Sequence, residues 1–159
     1  MKEYTESELK NKAEAFCSVA EHCPSEVATK LAQWGADNET AERIICHLIK
    51  ERYIDTARYC KFFVRDKYRF THWGRMKIRQ ALKFKELSVE DIETGLEEID
   101  EAEYDALLKD LLLKKKKSIS GRNEYERNSK LIRFAIGRGY AMDEILRHVK
   151  GTEHDEYAE

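Results

Sequence analysis

The sequence predicts an all-α protein of three tandem three-helix modules that form an elongated, curved helical repeat. Apolar residues recur at helical spacing through nearly the whole chain of 159 residues. Only 7 Gly and 1 Pro are present, so few positions could supply the tight turns of a β-protein. The third observation is an internal repeat, and stacked repeats bury a continuous core between neighbouring modules.

The repeat is a helix–turn–helix pattern anchored on Gly35, Glu86 and Gly139. Apolar residues stand eight and four positions before each anchor, and one, six and ten positions after it. These residues are Val27, Leu31, Ala36, Ala41 and Ile45; Ile78, Leu82, Leu87, Ile92 and Leu96; and Leu131, Ala135, Tyr140, Ile145 and Val149. The spacing places them on one face of each of two helices joined by a tight turn.

Each hairpin is preceded by a further helix, which gives about nine helices in all. These preceding helices are expected at residues 6–22, 55–70 and 101–117. Residues 23–26, CPSE, are expected to form a turn that leads into the second helix of the first module. Asp55 and Ser88 are expected as N-caps, because their side-chain oxygens can accept hydrogen bonds from unpaired helical N–H groups. The predicted modules are residues 1–54, 55–100 and 101–150, followed by an acidic tail, 151–159.

Charge is distributed in blocks, although the net charge of the chain is only −2. Residues 52–85 carry 11 basic against 2 acidic residues, and residues 114–150 carry 11 against 4. Between them, residues 86–113 carry 11 acidic residues and 1 lysine. Such blocks favour a charged partner and say little about the fold.

Residues 57–70, ARYCKFFVRDKYRF, interleave aromatic and basic side chains. A step of about 100° per residue from Asp55 separates them into two helix faces. The apolar arc, expected in the core, contains Ala57, Tyr59, Cys60, Phe63, Val64 and Phe70. The opposite stripe is basic, and Phe62 and Tyr68 flank it as the aromatic residues available to a partner.

Basic side chains on this helix, on the next helix and in the lysine run 114–117 are predicted to bind phosphates or an acidic protein groove. A solvated helix face is the alternative for the stripe, and lysines at a helix C-terminus also complement the helix dipole. The predicted contact residues are Arg58, Lys61, Phe62, Arg65, Arg69, Arg75, Lys77, Arg79, Lys83, Lys114, Lys115, Lys116 and Lys117.

Catalytic chemistry has no support in the sequence. Phosphate-binding, dinucleotide-binding, serine-hydrolase and zinc-protease motifs do not occur, and the 5 His and 4 Cys follow no metal-site spacing. No enzymatic activity, cofactor or metal is therefore expected. Neither a signal-peptide core nor an apolar run long enough for a membrane is found, so reduced thiols in a cytoplasmic protein are expected.

The stretch from Arg52, RYIDTARYCKFFVRDKYRFTHWGRMKIRQALKFKELSVEDI, resembles the RecX family, bacterial regulators of the recombinase RecA. The matching positions are Tyr53, Ile54, Asp55, Tyr59, Gly74, Ile78, Leu82, Lys85 and Leu87. Thr56, Cys60, Ala81 and Glu86 stand where the family pattern has Asp, Ala, Glu and Gly. The tandem three-helix architecture is also that of this family, so the resemblance covers about residues 10–150.

The resemblance implies a protein without catalytic groups that lies in the groove of the RecA filament on single-stranded DNA. There it would limit filament growth, strand exchange, ATP hydrolysis and co-protease activity, and so act in DNA repair, recombination and the SOS response. The implied partners are the RecA filament and single-stranded DNA, with no membrane, and a monomer is expected. Two alternatives stay open: a helical protein that binds DNA directly, and a helical-repeat adaptor for an acidic peptide.

Overall fold

A computed structural model of the chain describes residues 3–150 and contains nine α-helices and no β-strand within that range. The helices are α1 (Glu6–Val19), α2 (Pro24–Gln33), α3 (Asn38–Lys50), α4 (Thr56–Asp66), α5 (Arg75–Phe84), α6 (Val89–Leu96), α7 (Glu101–Lys116), α8 (Glu124–Gly137) and α9 (Met142–Ile145). The predicted all-α fold is confirmed. The predicted acidic tail, 151–159, lies outside the described residues.

Side-chain caps begin α4 and α6 where the sequence indicates. The Arg58 N–H donates to Asp55 Oδ1 at 2.9 Å, and the Asp91 N–H donates to Ser88 Oγ at 3.1 Å, so both predicted N-caps are confirmed. The predicted end of the first helix at residue 22 is wrong. Ala20 already has extended backbone (φ −156°, ψ 159°), which turns the chain toward Pro24 at the start of α2.

Three turns share one backbone geometry, and they are the turns of the sequence repeat. Gly35, Glu86 and Gly139 have φ of +93°, +65° and +101°. The N–H after each anchor donates to the carbonyl four residues before it: Ala36 to Leu31 at 3.0 Å, Leu87 to Leu82 at 3.3 Å and Tyr140 to Ala135 at 3.1 Å. This is the Schellman motif, which ends a helix through one residue in the left-handed region.

The chain divides into two compact units. Unit 1 comprises Met1–Phe63 and Leu82–Gly95. Its main core cluster contains Leu9, Ala13, Cys17, Val27, Leu31, Ile44, Leu48 and Ile54. Gly95 lies against Cys60, and a Cβ at Gly95 would stand 2.9 Å from the Cys60 carbonyl carbon, so only glycine fits there without a shift.

Unit 2 comprises Val64–Ala81 and Leu96–Glu159. Three buried tyrosines, Tyr68, Tyr104 and Tyr140, lie in sequence across its core, with ring centroids 6.3 Å and 5.3 Å apart. Gly74 packs against the backbone of Gly139, and the Gly74 N–H donates to the Arg138 carbonyl at 2.7 Å. A Cβ on Gly74 would overlap the Gly139 backbone, so this family-pattern glycine permits a backbone contact.

A π-helical turn, Lys67–Thr71, follows α4 directly and corrects two assignments made from helical phase. Tyr68, predicted to flank the basic stripe, is fully buried, whereas Phe70, predicted in the core, is 77 % exposed. A π turn holds one more residue per hydrogen bond than an α turn, so the 100° step no longer locates side chains beyond Asp66.

Candidate functional site

The predicted contact residues divide between the two units. Unit 1 contains Arg58, Lys61, Phe62 and Lys83; unit 2 contains Arg65, Arg69, Arg75, Lys77, Arg79 and Lys114, Lys115, Lys116 and Lys117. In both units the arginines of α4 and of the turn after it form ion pairs with carboxylates, whereas several of the lysines do not.

Three arginines of the predicted stripe form ion pairs with other helices or loops. Arg58 Nε lies 2.7 Å from Glu21 in unit 1. In unit 2, Arg65 Nη2 lies 2.8 Å from Glu98, and Arg69 Nε lies 3.1 Å from Glu103. The basic helix therefore neutralises part of the acidic block 86–113 inside the molecule.

Glu103 has a second donor in unit 2. The buried Tyr68 hydroxyl donates to the same carboxylate oxygen that Arg69 approaches. These hydrogen bonds, that from Tyr68 first and that from Arg69 second, hold the pKa of Glu103 below its usual 4.5. Tyr68 is thus a structural donor and not the partner-facing aromatic that the sequence suggested.

Arg75 is more enclosed than Arg58, Arg65 or Arg69. Its guanidinium lies 4.3 Å from the centre of the Tyr104 ring and 3.0 Å from Glu144, and it also pairs with Glu101. Its backbone N–H donates to the Tyr104 hydroxyl at 3.0 Å. Burial raises the pKa of Tyr104 to about 12, so this hydroxyl stays protonated and neutral. Arg75 therefore joins α5, α7 and α9 within unit 2.

Several of the predicted lysines have no carboxylate partner among the described residues. Lys61, Lys83, Lys116 and Lys117 form no ion pair with any residue in the range 3–150, and all but the half-buried Lys61 are exposed. Three other predicted lysines have partners: Lys77 and Lys115 stand 4.8 Å over the rings of Trp73 and Phe134, and Lys114 lies 3.0 Å from Asp110. The positive field of a lysine without a carboxylate neighbour is not neutralised within the molecule and can act on a partner.

Exposed aromatic side chains accompany these lysines. Phe62 is 60 % exposed, as predicted, and follows Lys61 in unit 1. Phe84, which follows Lys83, is 89 % exposed and was not identified from the sequence. Phe84 stands two positions before the anchor Glu86 and is not one of the five apolar positions of the repeat. Its exposure could therefore have been predicted from the repeat pattern.

Two of the buried cysteines are unreactive. Burial raises the pKa of the Cys17 thiol to about 11 and of the Cys60 thiol to about 12, so both remain protonated. No group of three or more His, Cys, Asp or Glu within the described range could hold a metal ion. Among the same residues, no helix combines the length and apolar character needed to cross a membrane.

Two family descriptions match the chain: "RecX, second three-helix domain" over residues 55–96, and "RecX, third three-helix domain" over residues 102–149. Regulatory protein RecX of Pseudomonas putida GB-1 is 32 % identical over 140 residues, which cover 86 % of each chain. Regulatory protein RecX of Clostridium perfringens strain 13 is 32 % identical over 138 residues, covering 84 % of this chain and 63 % of the relative. The chain thus spans about three fifths of that clostridial relative's length.

Two solved structures share the fold. The crystal structure of a regulatory protein RecX superposes with a TM-score of 0.79 at 23 % identity, covering 91 % of this chain and 73 % of that one. RecX from Lactobacillus salivarius superposes with a TM-score of 0.75 at 20 % identity, covering 93 % and 96 %.

Proposed function

Because the chain belongs to the RecX family, we propose that it is a non-enzymatic negative regulator of the recombinase RecA. It binds in the groove of the RecA filament on single-stranded DNA and limits filament growth, strand exchange, ATP hydrolysis and co-protease activity. Family membership is the observation that carries this proposal, since the matched relatives are named regulatory proteins.

The accessible lysines support a charged partner. Lys61 and Lys83 in unit 1, with Phe62 and Phe84, offer positive charge beside aromatic surface. In unit 2, Lys116 and Lys117 offer positive charge at the end of α7. Lysines of this kind suit contacts with phosphates, and exposed aromatic side chains suit contacts with protein or with unpaired bases. The paired arginines contribute to this interface by fixing the helices that present the lysines.

The proposal is tested by adding the purified protein to preformed RecA filaments and to bare single-stranded DNA. ATP hydrolysis and DNA binding are followed at two salt concentrations. We expect ATP hydrolysis to fall on filaments at protein concentrations that leave bare DNA unbound, and the effect to weaken at high salt because exposed charges are screened. Unchanged filament activity at saturating protein would contradict the proposal.

A protein that binds DNA directly is the second candidate. The observation in its favour is the alternation of lysine and exposed aromatic residue at Lys61, Phe62, Lys83 and Phe84, because bases stack on aromatic side chains while lysines hold the phosphates. The same titration separates the two. Tight binding to bare single-stranded DNA, with no effect on filaments that already cover the DNA, would favour direct binding.

A further inference from the structure

A cleft of about 330 Å³ opens in unit 2 between α7, α8 and the residues that follow α9. Its floor is aliphatic and is formed by Leu112, Leu113, Leu131 and Val149. The cleft as a whole has room for an apolar side chain, and small-molecule and peptide sites commonly combine aliphatic residues with a few polar groups.

One polar side chain stands at this floor. Asn128, in the second turn of α8, is only 7 % exposed and is the one buried residue with an amide or charged side chain among residues 3–150. Its side chain forms no hydrogen bond with any described residue, although a carboxamide carries both donors and an acceptor. Its amide atoms are not among the fully enclosed unpaired polar atoms of the described residues, so they face the open cleft, where a ligand would supply the partners.

The rim of the cleft is positive. Lys109 and Lys116 line it and have no carboxylate partner within the described chain. Arg147 also lines the cleft, and its guanidinium lies 3.6 Å from Asp105. His148 Nε2 lies 2.8 Å from the same carboxylate. Glu124 is the single carboxylate of the lining, so the rim favours an anionic ligand.

We propose that this cleft binds an acidic peptide segment of a partner protein. An aliphatic side chain of the peptide lies on the leucine floor, its main-chain N–H and C=O pair with the Asn128 carboxamide, and flanking carboxylates meet Lys109 and Lys116. A carboxamide suits an extended peptide because it offers one donor edge and one acceptor edge to the two groups of a single residue.

A peptide fits this lining better than single-stranded nucleic acid does. Sites for single strands stack bases on aromatic side chains, and the cleft contains no Phe, Tyr or Trp. Glu124 would also repel a phosphate chain that followed the rim. The inference concerns this cleft alone and does not depend on the proposed regulation of RecA, since the peptide can be titrated without a filament.

The test uses a fluorescent synthetic peptide with one leucine flanked by glutamates and aspartates. Its binding to the full chain is followed by anisotropy, and the side-chain amide signal of Asn128 is followed by NMR. We expect saturable binding that moves the Asn128 signal. Asn128→Leu, of similar volume, should keep or raise the unfolding midpoint yet weaken binding by about tenfold, as should Lys116→Glu.

Two controls decide the outcome. Arg133→Glu reverses an exposed charge on α8 outside the cleft and should change peptide affinity by less than about twofold. An oligothymidylate of matched charge should bind more weakly than the peptide. The inference is overturned if the peptide does not bind, if both cleft variants bind as well as the unaltered chain, or if the oligonucleotide displaces the peptide.

Discussion

Glu86 occupies the left-handed backbone position that glycine fills in the two related turns. Its φ of +65° compares with +93° at Gly35 and +101° at Gly139. A residue with a Cβ is strained by about 1–2 kcal/mol in this region. Glycine is unstrained there, although its greater freedom in the unfolded chain offsets part of the gain in stability.

Glu86→Gly should therefore raise the free energy of unfolding by about 0.5–1 kcal/mol, measured by urea denaturation. Gly35→Ala is the matched control and should lower it, because it places a Cβ in the same conformation. A loss of stability in Glu86→Gly would mean that the glutamate side chain itself stabilises the turn.

Glu103 connects stability to pH. Its pKa is lowered from the usual 4.5 in the folded state, chiefly by the hydrogen bonds from Tyr68 and Arg69. A lowered folded pKa gives stability that is fully present above about pH 4.5 and is lost as the pH falls through the folded value.

Glu103→Gln should therefore reduce stability at neutral pH and flatten the decline of stability below about pH 4.5. Urea midpoints from pH 7 to pH 3 provide the measurement. Glu97→Gln, which removes an exposed carboxyl without an ion pair to any described residue, is the control and should leave the decline intact. Parallel declines in Glu103→Gln and the unaltered chain would contradict this assignment.

Among the elements, the π turn after α4 decides which aromatic residue is structural. Tyr68→Ala should lower the free energy of unfolding by about 3–5 kcal/mol, because it empties a fully buried ring site and removes the donor to Glu103. Phe70→Ala should change it by less than about 0.5 kcal/mol. Thermal or urea unfolding of both variants measures the two effects. A larger loss of stability in Phe70→Ala than in Tyr68→Ala would contradict the π turn and indicate an uninterrupted α-helix.

The contact of Gly74 with Gly139 brings the start of α5 against the turn after α8. Gly74→Ala should lower the free energy of unfolding by at least about 1–3 kcal/mol, since the added methyl group overlaps backbone that cannot rotate away. Gly137→Ala, nearby at the end of α8 and facing open space, should instead raise it by about 0.5–1 kcal/mol. Equal effects of the two substitutions in urea would contradict the close approach.

Helices and turns were predictable from the sequence where they depend on residues close together in the chain. The three anchors mark the Schellman turns because apolar spacing and turn position are both local properties. The phase beyond Asp66 was not predictable, since the π turn places Tyr68 in the core, where its partner Glu103 is 35 positions away in the sequence. The role of Gly74 was equally hidden, because its contact is with a distant backbone.

Across the whole molecule, some side chains of the basic blocks form ion pairs with carboxylates of the acidic block. The sequence predicts a positive surface from residues 52–85, and the structure pairs its arginines with Glu21, Glu98, Glu103 and Glu144. Residue counts reveal the blocks but not this pairing, because partners such as Arg65 and Glu98 stand 33 residues apart. Lysines and arginines therefore give different tests of the proposed interface.

Lys61→Glu combined with Lys83→Glu should leave the unfolding midpoint unchanged and weaken association with RecA filaments by about tenfold at low salt. Arg65→Glu combined with Arg69→Glu should lower the unfolding midpoint, because it sets carboxylates against Glu98 and Glu103. Co-sedimentation with filaments and urea denaturation measure the two effects. Full association of the lysine variant would move the interface away from these lysines.

The contact between Gly74 and Gly139 also bears on how the chain is made. Residues 64–81 leave the ribosome well before Arg138, whose carbonyl accepts the Gly74 N–H, and before Glu144, which pairs with Arg75. Translation adds roughly 5–20 residues per second, so these early residues wait for seconds without their partners. Unit 1 has all its residues once Gly95 has emerged. The first unit can thus finish folding while the ribosome is still making the residues that complete the second.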